Sequence, residues 1–179
     1  VYDVNLLLVK LLCNQVKKNN LISVVTCSMN RDEFIFENIK STNKLINLNE
    51  HIIIDWTSTP KIIDEYSQAN RKSKIVRVDK EKNWWLSRAY NFGFHLANSE
   101  YILKLDVDTT INFDEINKLD LEGINYLNFT IDKNGYGNFI VRKEILNEIN
   151  GFNEYIFDWG YDDKDLHTRI LNYLGEDLE

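Results

Sequence analysis

Apolar runs that end in polar residues alternate with amphipathic stretches along the first 108 residues of this chain. The runs are apolar on both faces, which is typical of buried parallel strands covered by helices on both sides. They predict an α/β fold with a mostly parallel central sheet. The four runs are Leu21–Thr26, His51–Asp55, Lys74–Val78 and Tyr101–Leu105, and helices are predicted over residues 31–45, from Pro60, and over residues 83–98.

After residue 108 the regular alternation stops. Residues 124–131 alternate as a strand and Gly137–Arg142 returns after a turn, which predicts a hairpin and therefore a mixed sheet. A last helix is predicted over residues 162–174, with Gly175 as its left-handed cap. Shorter helices are predicted over residues 112–119 and 143–149, the second capped by Gly151.

The first 20 residues place Val4, Leu7, Leu8, Leu11 and Leu12 on one helical face, which predicts an amphipathic helix over residues 1–20. We expect it to cover this domain; joining a neighbouring domain or lying on a membrane are the alternatives. Residues 21–179 are long enough for one domain with a real core and too short for two.

The formal charge of −7 argues against a nucleic-acid partner, which would require a basic surface. Residues 151–179 hold eight acidic and two basic residues, so this end carries nearly the whole net charge. Cys13 and Cys27 have no metal-ligand spacing and are predicted to fill the core in a reducing compartment. No signal peptide or membrane-length apolar stretch is visible, so we expect a cytoplasmic protein. Peripheral membrane contact is an alternative that the pattern does not indicate.

The fourth run stops abruptly at Asp106 and Asp108, which flank a valine. Alternate residues of an extended chain point to the same side, so the two carboxylates project together. Hard oxygen ligands of this kind suit Mg²⁺ or Mn²⁺ holding a diphosphate. The alternative is a solvated acidic turn.

Polar residues follow every strand of the predicted parallel sheet. In such sheets ligands bind at the carboxyl ends of the strands, so one crevice would collect these side chains. They are Thr26, Ser28 and Asn30, then Asp55, Thr57 and Ser58, then Asp79, and finally Asp106 and Asp108.

The predicted helix over residues 83–98 has two faces of interest. Trp85, Ala89, Phe92 and Leu96 form the predicted core face, and Trp84, Arg88, Asn91 and His95 form its neighbour. Arg88 could meet a phosphate or a nucleotide base there. The alternative for Arg88 is an exposed surface position, and for His95 a packing or surface role is favoured.

Asp162 and Asp163 stand at the start of the last predicted helix, where carboxylates are stabilised by the helix dipole. Asp163 is the candidate general base, provided that the preceding loop brings it over the metal site. For Asp162 the alternative is capping of free N–H groups. The neighbouring aromatic side chains, Trp159 and Tyr161, suit the apolar faces of sugar rings.

Four motifs in this order resemble glycosyltransferases of the GT-A fold, close to glycosyltransferase family 2, with an end similar to animal galactosyltransferases. The resemblance spans about residues 21–171. The motifs are Val24–Arg31 with Asp55–Ser58, then Leu86–Gly93, then Asp106–Asp108, and last Asn150–Glu154 with Trp159–Leu166.

The resemblance implies a nucleotide-binding half, residues 21–108, and an acceptor and catalytic half, residues 109–179. Asp163 would be the catalytic base, and Asp108 would ligate Mn²⁺ or Mg²⁺. Trp159, Tyr161 and Asp162 would bind the acceptor. The donor nucleotide would be bound by Thr26, Ser28, Arg31, Asp55, Arg88 and Asp106.

The chain departs from the family pattern at three places. Tyr90 stands where many relatives have arginine, and Ser99 where glycine is common. The galactosyltransferases have a metal-ligating histidine downstream of the acidic pair, but His167 lies four residues after Asp163 on the same predicted helix, so we expect it to pack.

The predicted function is metal-dependent transfer of a sugar from a nucleotide-diphosphate donor, with a UDP-sugar favoured, to a glycan or other acceptor hydroxyl, as in polysaccharide biosynthesis. Inversion is expected because Asp163 offers a base. One alternative is a non-catalytic nucleotide-sugar-binding or assembly module. A sugar nucleotidyltransferase is disfavoured because residues 27–31 contain no glycine for a triphosphate loop.

Overall fold

The computed structural model describes residues 20–62, 66, 70–109, 111–129, 137–157 and 160–176. The predicted helix of residues 1–20 lies outside them apart from residue 20, as does Cys13. None of the described helices has the length and hydropathy to span a bilayer. In chain order the elements are β1 (Ile22–Ser28), α1 (Asp32–Thr42), β2 (Leu48–Trp56), β3 (Ser73–Val78), α2 (Leu86–Leu96), β4 (Tyr101–Lys104), α3 (Phe113–Ile116), a 3₁₀ turn (Leu121–Gly123), β5 (Tyr126–Asn128), β6 (Phe139–Arg142), α4 (Lys143–Glu148) and α5 (Asp162–Leu174).

Six strands form one mixed sheet in the order β3-β2-β1-β4-β6-β5. β1 pairs in parallel with β2 and with β4, and β2 pairs in parallel with β3. β6 runs antiparallel to both β4 and β5. The four parallel strands and the antiparallel pair are therefore confirmed, while the predicted turn at residues 132–135 lies outside the described residues.

Helices cover both faces of the sheet. Val25 and Ile54 pack in one cluster with Phe94 of α2, whereas Ile53 packs on the other side with Ile35 of α1. Successive residues of a strand point to opposite faces, so a strand covered on both faces is apolar at most positions. This is why β1 and β2 read as continuous apolar runs, and their parallel pairing brings their carboxyl ends to one edge.

The buried face of α2 differs from the predicted one. Phe92 is 37% exposed, while Tyr90 and Phe94 are buried at 1% and 5%. The helix is rotated because it approaches β1 at Gly93, where an added Cβ would overlap the Val25 side chain. A glycine permits this close contact, and Tyr90 and Phe94, which lie on the same side of the helix as Gly93, are buried with it. The prediction for Phe92 is therefore wrong.

The helix predicted to begin at Pro60 is also not formed at residues 60–62. Ile62 is instead buried against α1, and its backbone N–H donates to the Asp55 carboxylate at 3.2 Å. The same carboxylate accepts the backbone N–H of Ser58 at 3.0 Å. Two backbone donors on one carboxylate hold this segment as a loop.

The two predicted glycine caps are present. Gly151 and Gly175 have φ angles of 61° and 72°, the left-handed conformation that glycine adopts without steric cost. Gly151 donates its N–H to the Leu146 carbonyl at 2.8 Å. α5 spans Asp162–Leu174, as the sequence predicts.

Candidate active site

A cavity of about 550 Å³ opens at the carboxyl ends of β1 and β4. It gathers residues from four separate parts of the chain: the end of β1 with the segment after it, the start of α2, the segment after β4, and the first turn of α5. Cys27, 4% exposed, is packed in the core as predicted and also borders the cavity. The lining residues are Cys27, Ser28, Met29, Asn30, Arg31, Trp84, Leu86, Tyr90, Asp106, Val107, Asp108 and Asp163.

Asp106 is held firmly where β4 ends. Its Oδ1 accepts hydrogen bonds from the Tyr90 hydroxyl at 2.9 Å and the Lys104 ammonium at 3.0 Å. Its backbone N–H donates to Asn138 Oδ1 at 2.7 Å. A Cβ on Gly137 would stand 2.6 Å from Asp106 Oδ2, so the glycine makes room for this carboxylate. Asp106 is therefore fixed on several sides while it faces the cavity.

Lys104, which the sequence analysis did not single out, contacts two of the residues that line the cavity, Asp106 and Asp163. Its side chain is fully buried, and its Nζ lies 3.0 Å from Asp106 Oδ1 and 3.1 Å from Asp163 Oδ1. Burial lowers the pKa of Lys104, but the two carboxylates outweigh burial and raise it above its ordinary value. The ammonium is thus charged at neutral pH and neutralises part of the acidic cluster.

Asp163 comes from the first turn of α5. The turn before it contains Gly160 and Tyr161 with φ angles of 104° and 68°, and the second value is unusual for an aromatic residue. Burial raises the pKa of Asp163, Lys104 lowers it, Asp106 raises it, and the net shift is upward. A carboxylate with a raised pKa facing a cavity has the properties of a general base.

Asp108 and Arg31 meet at the mouth of the cavity. Arg31 Nη1 lies 2.5 Å from Asp108 Oδ2, and the two side chains are 54% and 42% exposed. Arg31 stands just before α1, and Asp108 follows β4, so this ion pair joins the two segments. Both predicted residues are thus brought together with Asp106, as the strand-end argument requires.

A buried polar network supports the backbone between the two aspartates. Asn38 of α1 donates through Nδ2 to the carbonyls of Asp106 and Val107, both at 3.3 Å. Thr26 Oγ1 lies 3.3 Å from Asn38 Oδ1 and 3.0 Å from His51 Nε2. Sequence analysis missed Asn38, because its partners are distant in the chain and only its buried position on α1 gave a signal.

The predicted nucleotide-binding residues of β1 and β2 have different surroundings. Ser28 lines the cavity, and its buried hydroxyl has no hydrogen-bond partner among the described residues. Thr26 does not line it, since its hydroxyl is in the network with Asn38. Asp55 is fully buried and accepts from Arg77 Nη1 at 2.7 Å as well as from the loop N–H groups. Ser28 therefore has the free polar atom that a ligand could engage.

Arg88 lies on the outer side of α2. It is half exposed, its guanidinium carbon stands 5.1 Å from the centre of the Trp85 ring, and it does not border the cavity. Trp85 also meets Phe157 edge to face at 5.1 Å between ring centres. The structure therefore does not bring Arg88 together with the acidic residues, and its predicted donor contact stays a prediction. His95 is exposed, as expected.

Two of the predicted acceptor-binding residues, Tyr161 and Asp162, lie at the start of α5. Tyr161 is 81% exposed, and Trp159 lies outside the described residues. Asp162 is 8% exposed and accepts the N–H of Asp163 at 3.1 Å, which matches the capping alternative. His167 lies 2.8 Å from the Tyr126 hydroxyl and packs on its ring, in line with the packing role expected for it.

The residues present fit a divalent cation of the magnesium or manganese type at Asp108. No group of three or more His, Cys, Asp or Glu side chains in the described part of the chain is arranged to hold a metal. Such ions are commonly bound by one or two carboxylates, with substrate phosphates and water completing the shell. The half-exposed Asp108 carboxylate at the cavity mouth meets that requirement.

The fold of the chain is similar to that of solved glycosyltransferase structures of the GT-A fold. S. aureus TarS matches with a TM-score of 0.68 and 18% identity over 84% of this chain and 55% of that one. A Pyrobaculum calidifontis mannosyltransferase gives 0.66 and 16% over 83% and 51%. The catalytic domain of Drosophila beta1,4-galactosyltransferase 7 gives 0.61 and 15% over 87% and 62%. The chain thus spans little more than half of these structures, and at such identities the likeness shows the fold.

The family is shown by sequence. The family model for glycosyl transferase family 2 matches residues 23–149, so the chain belongs to glycosyl transferase family 2. A search of curated proteins gives no match. The family and the GT-A fold expected from the four motifs are both confirmed.

Proposed function

We propose that this chain transfers a sugar from a nucleotide-diphosphate donor, a UDP-sugar by preference, to an acceptor hydroxyl with inversion, in a metal-dependent reaction. The observation that carries the proposal is a cavity that is lined by Asp106, Asp108 and Asp163 together. Residues 21–108 would bind the donor and residues 109–179 the acceptor, a glycan or another hydroxyl compound. Related complexes support this assignment: the Pyrobaculum enzyme holds GDP-Man and Mn²⁺, and a Drosophila galactosyltransferase mutant holds manganese, UDP-Gal and xylobiose.

In this reaction the acceptor oxygen attacks the anomeric carbon, and the bond from that carbon to the diphosphate breaks. Asp163 receives the acceptor proton, for which its raised pKa suits it. Attack from the face opposite the leaving group inverts the anomeric configuration. A divalent cation bound at Asp108 would offset the charge that develops on the departing diphosphate. Ser28 would engage the nucleotide through its unpartnered hydroxyl.

Calorimetric titration with UDP, with and without Mn²⁺, tests the donor site. We expect binding that requires Mn²⁺ and is lost in Asp108→Ala, because that variant removes the proposed metal ligand. Asp114→Ala is the matched control, since Asp114 is an acidic residue on α3 and does not line the cavity. Failure to bind UDP, GDP, CDP or dTDP under either condition would contradict the proposal.

Transfer itself is tested with a panel of nucleotide sugars and acceptors, with the product anomer assigned by NMR. Asp163→Asn should reduce turnover at least about a hundredfold, the usual contribution of a general base, while UDP binding persists. Wild-type turnover in Asp163→Asn, or a retained anomeric configuration, would contradict the role of the base. Donor binding with neither transfer nor donor hydrolysis would favour the non-catalytic module.

A further inference from the structure

Lys104 is a lysine at the end of an apolar strand, with its whole side chain removed from solvent. Burying an unpaired ammonium is strongly unfavourable, so a lysine persists there only with strong partners. Its Nζ contacts Asp106 Oδ1, Asp163 Oδ1 and the Gly137 carbonyl. The contacts to Asp106 Oδ1 and the Gly137 carbonyl are hydrogen bonds, and the contact to Asp163 Oδ1 is an ion pair at 3.1 Å. It also stands 4.6 Å from the centre of the Tyr90 ring, a cation–π distance.

The two carboxylates depend on Lys104 to different degrees. Without Lys104, Asp106 would still accept a hydrogen bond from the Tyr90 hydroxyl at 2.9 Å, and its backbone N–H would still donate to Asn138 Oδ1. Asp163 Oδ1, in contrast, is buried and has no hydrogen-bond partner among the described residues. The Lys104 ammonium lies 3.1 Å from it and is its ion-pair partner in the described part of the chain. Removing Lys104 should therefore release Asp163 more than Asp106.

The contact also joins two distant parts of the fold. Lys104 is the last residue of β4, just before Asp106 and Asp108, and Asp163 lies in the first turn of α5. Asp106 and Asp163 both approach Gly137, whose Cβ, if present, would stand 2.6 Å and 3.7 Å from their Oδ2 atoms. Like charges this close repel in a buried setting unless a cation lies between them.

We infer that Lys104 is a positioning residue that fixes the Asp163 carboxylate relative to Asp106, and thereby sets the geometry between acceptor base and donor site. The inference rests on the proposed function for its catalytic consequence. Its structural part, that Lys104 holds the first turn of α5 against the end of β4, stands on the contacts alone.

The test compares Lys104→Met with Lys143→Met. Methionine keeps the length and apolar character of the lysine stem while removing the charge. Lys143 is the matched control, because it is a partly buried lysine that donates to the Ala97 carbonyl at a position outside the cavity. Two measurements are made on each protein: amide hydrogen exchange of the segment that contains residues 160–166, and the kinetics of sugar transfer with UDP·Mn²⁺ affinity.

In Lys104→Met we expect faster exchange in the first turn of α5 and a kcat at least about tenfold lower, within the range that a misplaced general base costs. UDP·Mn²⁺ affinity should stay within about threefold, because Tyr90 and Asn138 still hold Asp106. Lys143→Met should change neither. A merely structural role would reduce the folded fraction and leave the kcat of the folded enzyme unchanged, so the split between kcat and donor affinity distinguishes the two.

Lys104→Met leaves the Asp106 and Asp163 carboxylates without their shared ammonium group and could fold poorly for that reason. A double variant then provides the test. Lys104→Met/Asp163→Asn removes both members of the ion pair, and its kcat should equal that of Asp163→Asn alone, because the two residues act as one unit. Unchanged exchange in Lys104→Met would overturn the inference whether or not the protein is active. A double variant about tenfold below Asp163→Asn would overturn it as well, since Lys104 would then act elsewhere. Absence of UDP binding by the wild type contradicts the proposed function alone.

Discussion

Arg31 Nη1 lies 2.5 Å from Asp108 Oδ2, so the proposed metal ligand is already paired with a cation in the structure. The pair stands at the mouth of the cavity and is about half exposed on both sides. A divalent cation that binds Asp108 would compete with the guanidinium for the same carboxylate. The released guanidinium would then lie beside the donor diphosphate, where arginine binds well. The pair therefore suggests an exchange of partners when the donor arrives with its metal.

Arg31→Ala should separate two effects of Arg31: its competition with the metal for Asp108, and its contact with the donor diphosphate. Without nucleotide, Mn²⁺ affinity should rise by up to about fivefold, because exposed ion pairs are worth at most about 1 kcal/mol. With Mn²⁺ present, UDP affinity should fall, because a phosphate contact is lost. Both quantities are measured by calorimetry, with Mn²⁺ binding checked by EPR. Arg71→Ala, an exposed arginine that does not line the cavity, is the control. If both affinities are unchanged in Arg31→Ala, the proposed exchange does not occur.

The pH dependence of transfer follows from the raised pKa of Asp163. Burial and the Asp106 charge raise that pKa, although Lys104 opposes them. A general base acts when ionised, so kcat/KM should fall as the pH drops through this pKa, above the ordinary aspartate value of 3.8. The profile is measured for the wild type and for Asp163→Asn, whose residual rate should lose the acidic limb. Asp165→Asn is the control and should retain it, since Asp165 pairs with Arg169 outside the cavity.

Tyr90→Phe tests whether Asp106 contributes to donor binding. The Tyr90 hydroxyl donates to Asp106 Oδ1 at 2.9 Å, and burial together with the Asp106 charge raises its pKa, so the phenol stays protonated. A hydrogen bond to a charged group is worth about 1.5–3 kcal/mol, but Lys104 and Asn138 still hold Asp106, so its loss should weaken UDP·Mn²⁺ binding by only about threefold. Tyr101→Phe is the matched control.

The Tyr101 hydroxyl donates to the Leu121 carbonyl, away from the cavity. Its removal should lower stability, measured by urea denaturation, with UDP·Mn²⁺ affinity unchanged. Equal affinities of Tyr90→Phe and the wild type for UDP·Mn²⁺ would show that Asp106 is held adequately by its remaining partners, or that it does not contact the donor.

Local sequence patterns predicted the elements well, because apolar runs and glycine caps report directly on burial and backbone conformation. α5 is observed over Asp162–Leu174 as predicted, and the four parallel strands are present. The errors arose where tertiary contacts decide. Gly93 sets the rotation of α2 through its contact with Val25, and Asp55 holds residues 58–62 as a loop.

The residues of the candidate site also divide into those that local sequence predicted and those that tertiary contacts decide. Asp106 and Asp108 could be predicted as site residues because they come directly after the apolar run of β4, at the carboxyl edge of the sheet, and both line the cavity. Thr26 lies two residues before Ser28, about 7 Å further down a strand that rises about 3.3 Å per residue, and is therefore covered by α1. The ion pair of Lys104 with Asp163 joins residues that are far apart in sequence. The sequence signal for it was the presence of a lysine within an apolar run that is predicted to be a buried strand.

His51 gives a prediction about stability. Its ring is fully buried in β2, with Nδ1 at 3.2 Å from the Thr42 hydroxyl and Nε2 at 3.0 Å from that of Thr26. The Thr42 hydroxyl donates to the Ile39 carbonyl at 2.8 Å and the Thr26 hydroxyl donates to Asn38 Oδ1 at 3.3 Å, so each hydroxyl oxygen can accept a hydrogen bond from the ring. Burial lowers the pKa of His51 from 6.5 to about 3.

In the unfolded chain His51 is protonated as the pH falls below its ordinary pKa of 6.5, whereas in the folded chain it is protonated only near pH 3. The contribution of the neutral His51 ring to the free energy of unfolding is therefore complete above pH 6.5 and is lost as the pH falls. The free energy of unfolding should therefore decrease by up to about 1.4 kcal/mol per pH unit between these values on account of His51. Urea denaturation at pH 7.5, 6.5, 5.5 and 4.5 measures it, with His51→Gln as the comparison. Glutamine can hydrogen-bond Thr26 and Thr42 without titrating, so its curve should be flatter. Parallel curves for the two proteins would show that His51 is not the residue whose protonation destabilises the fold in acid.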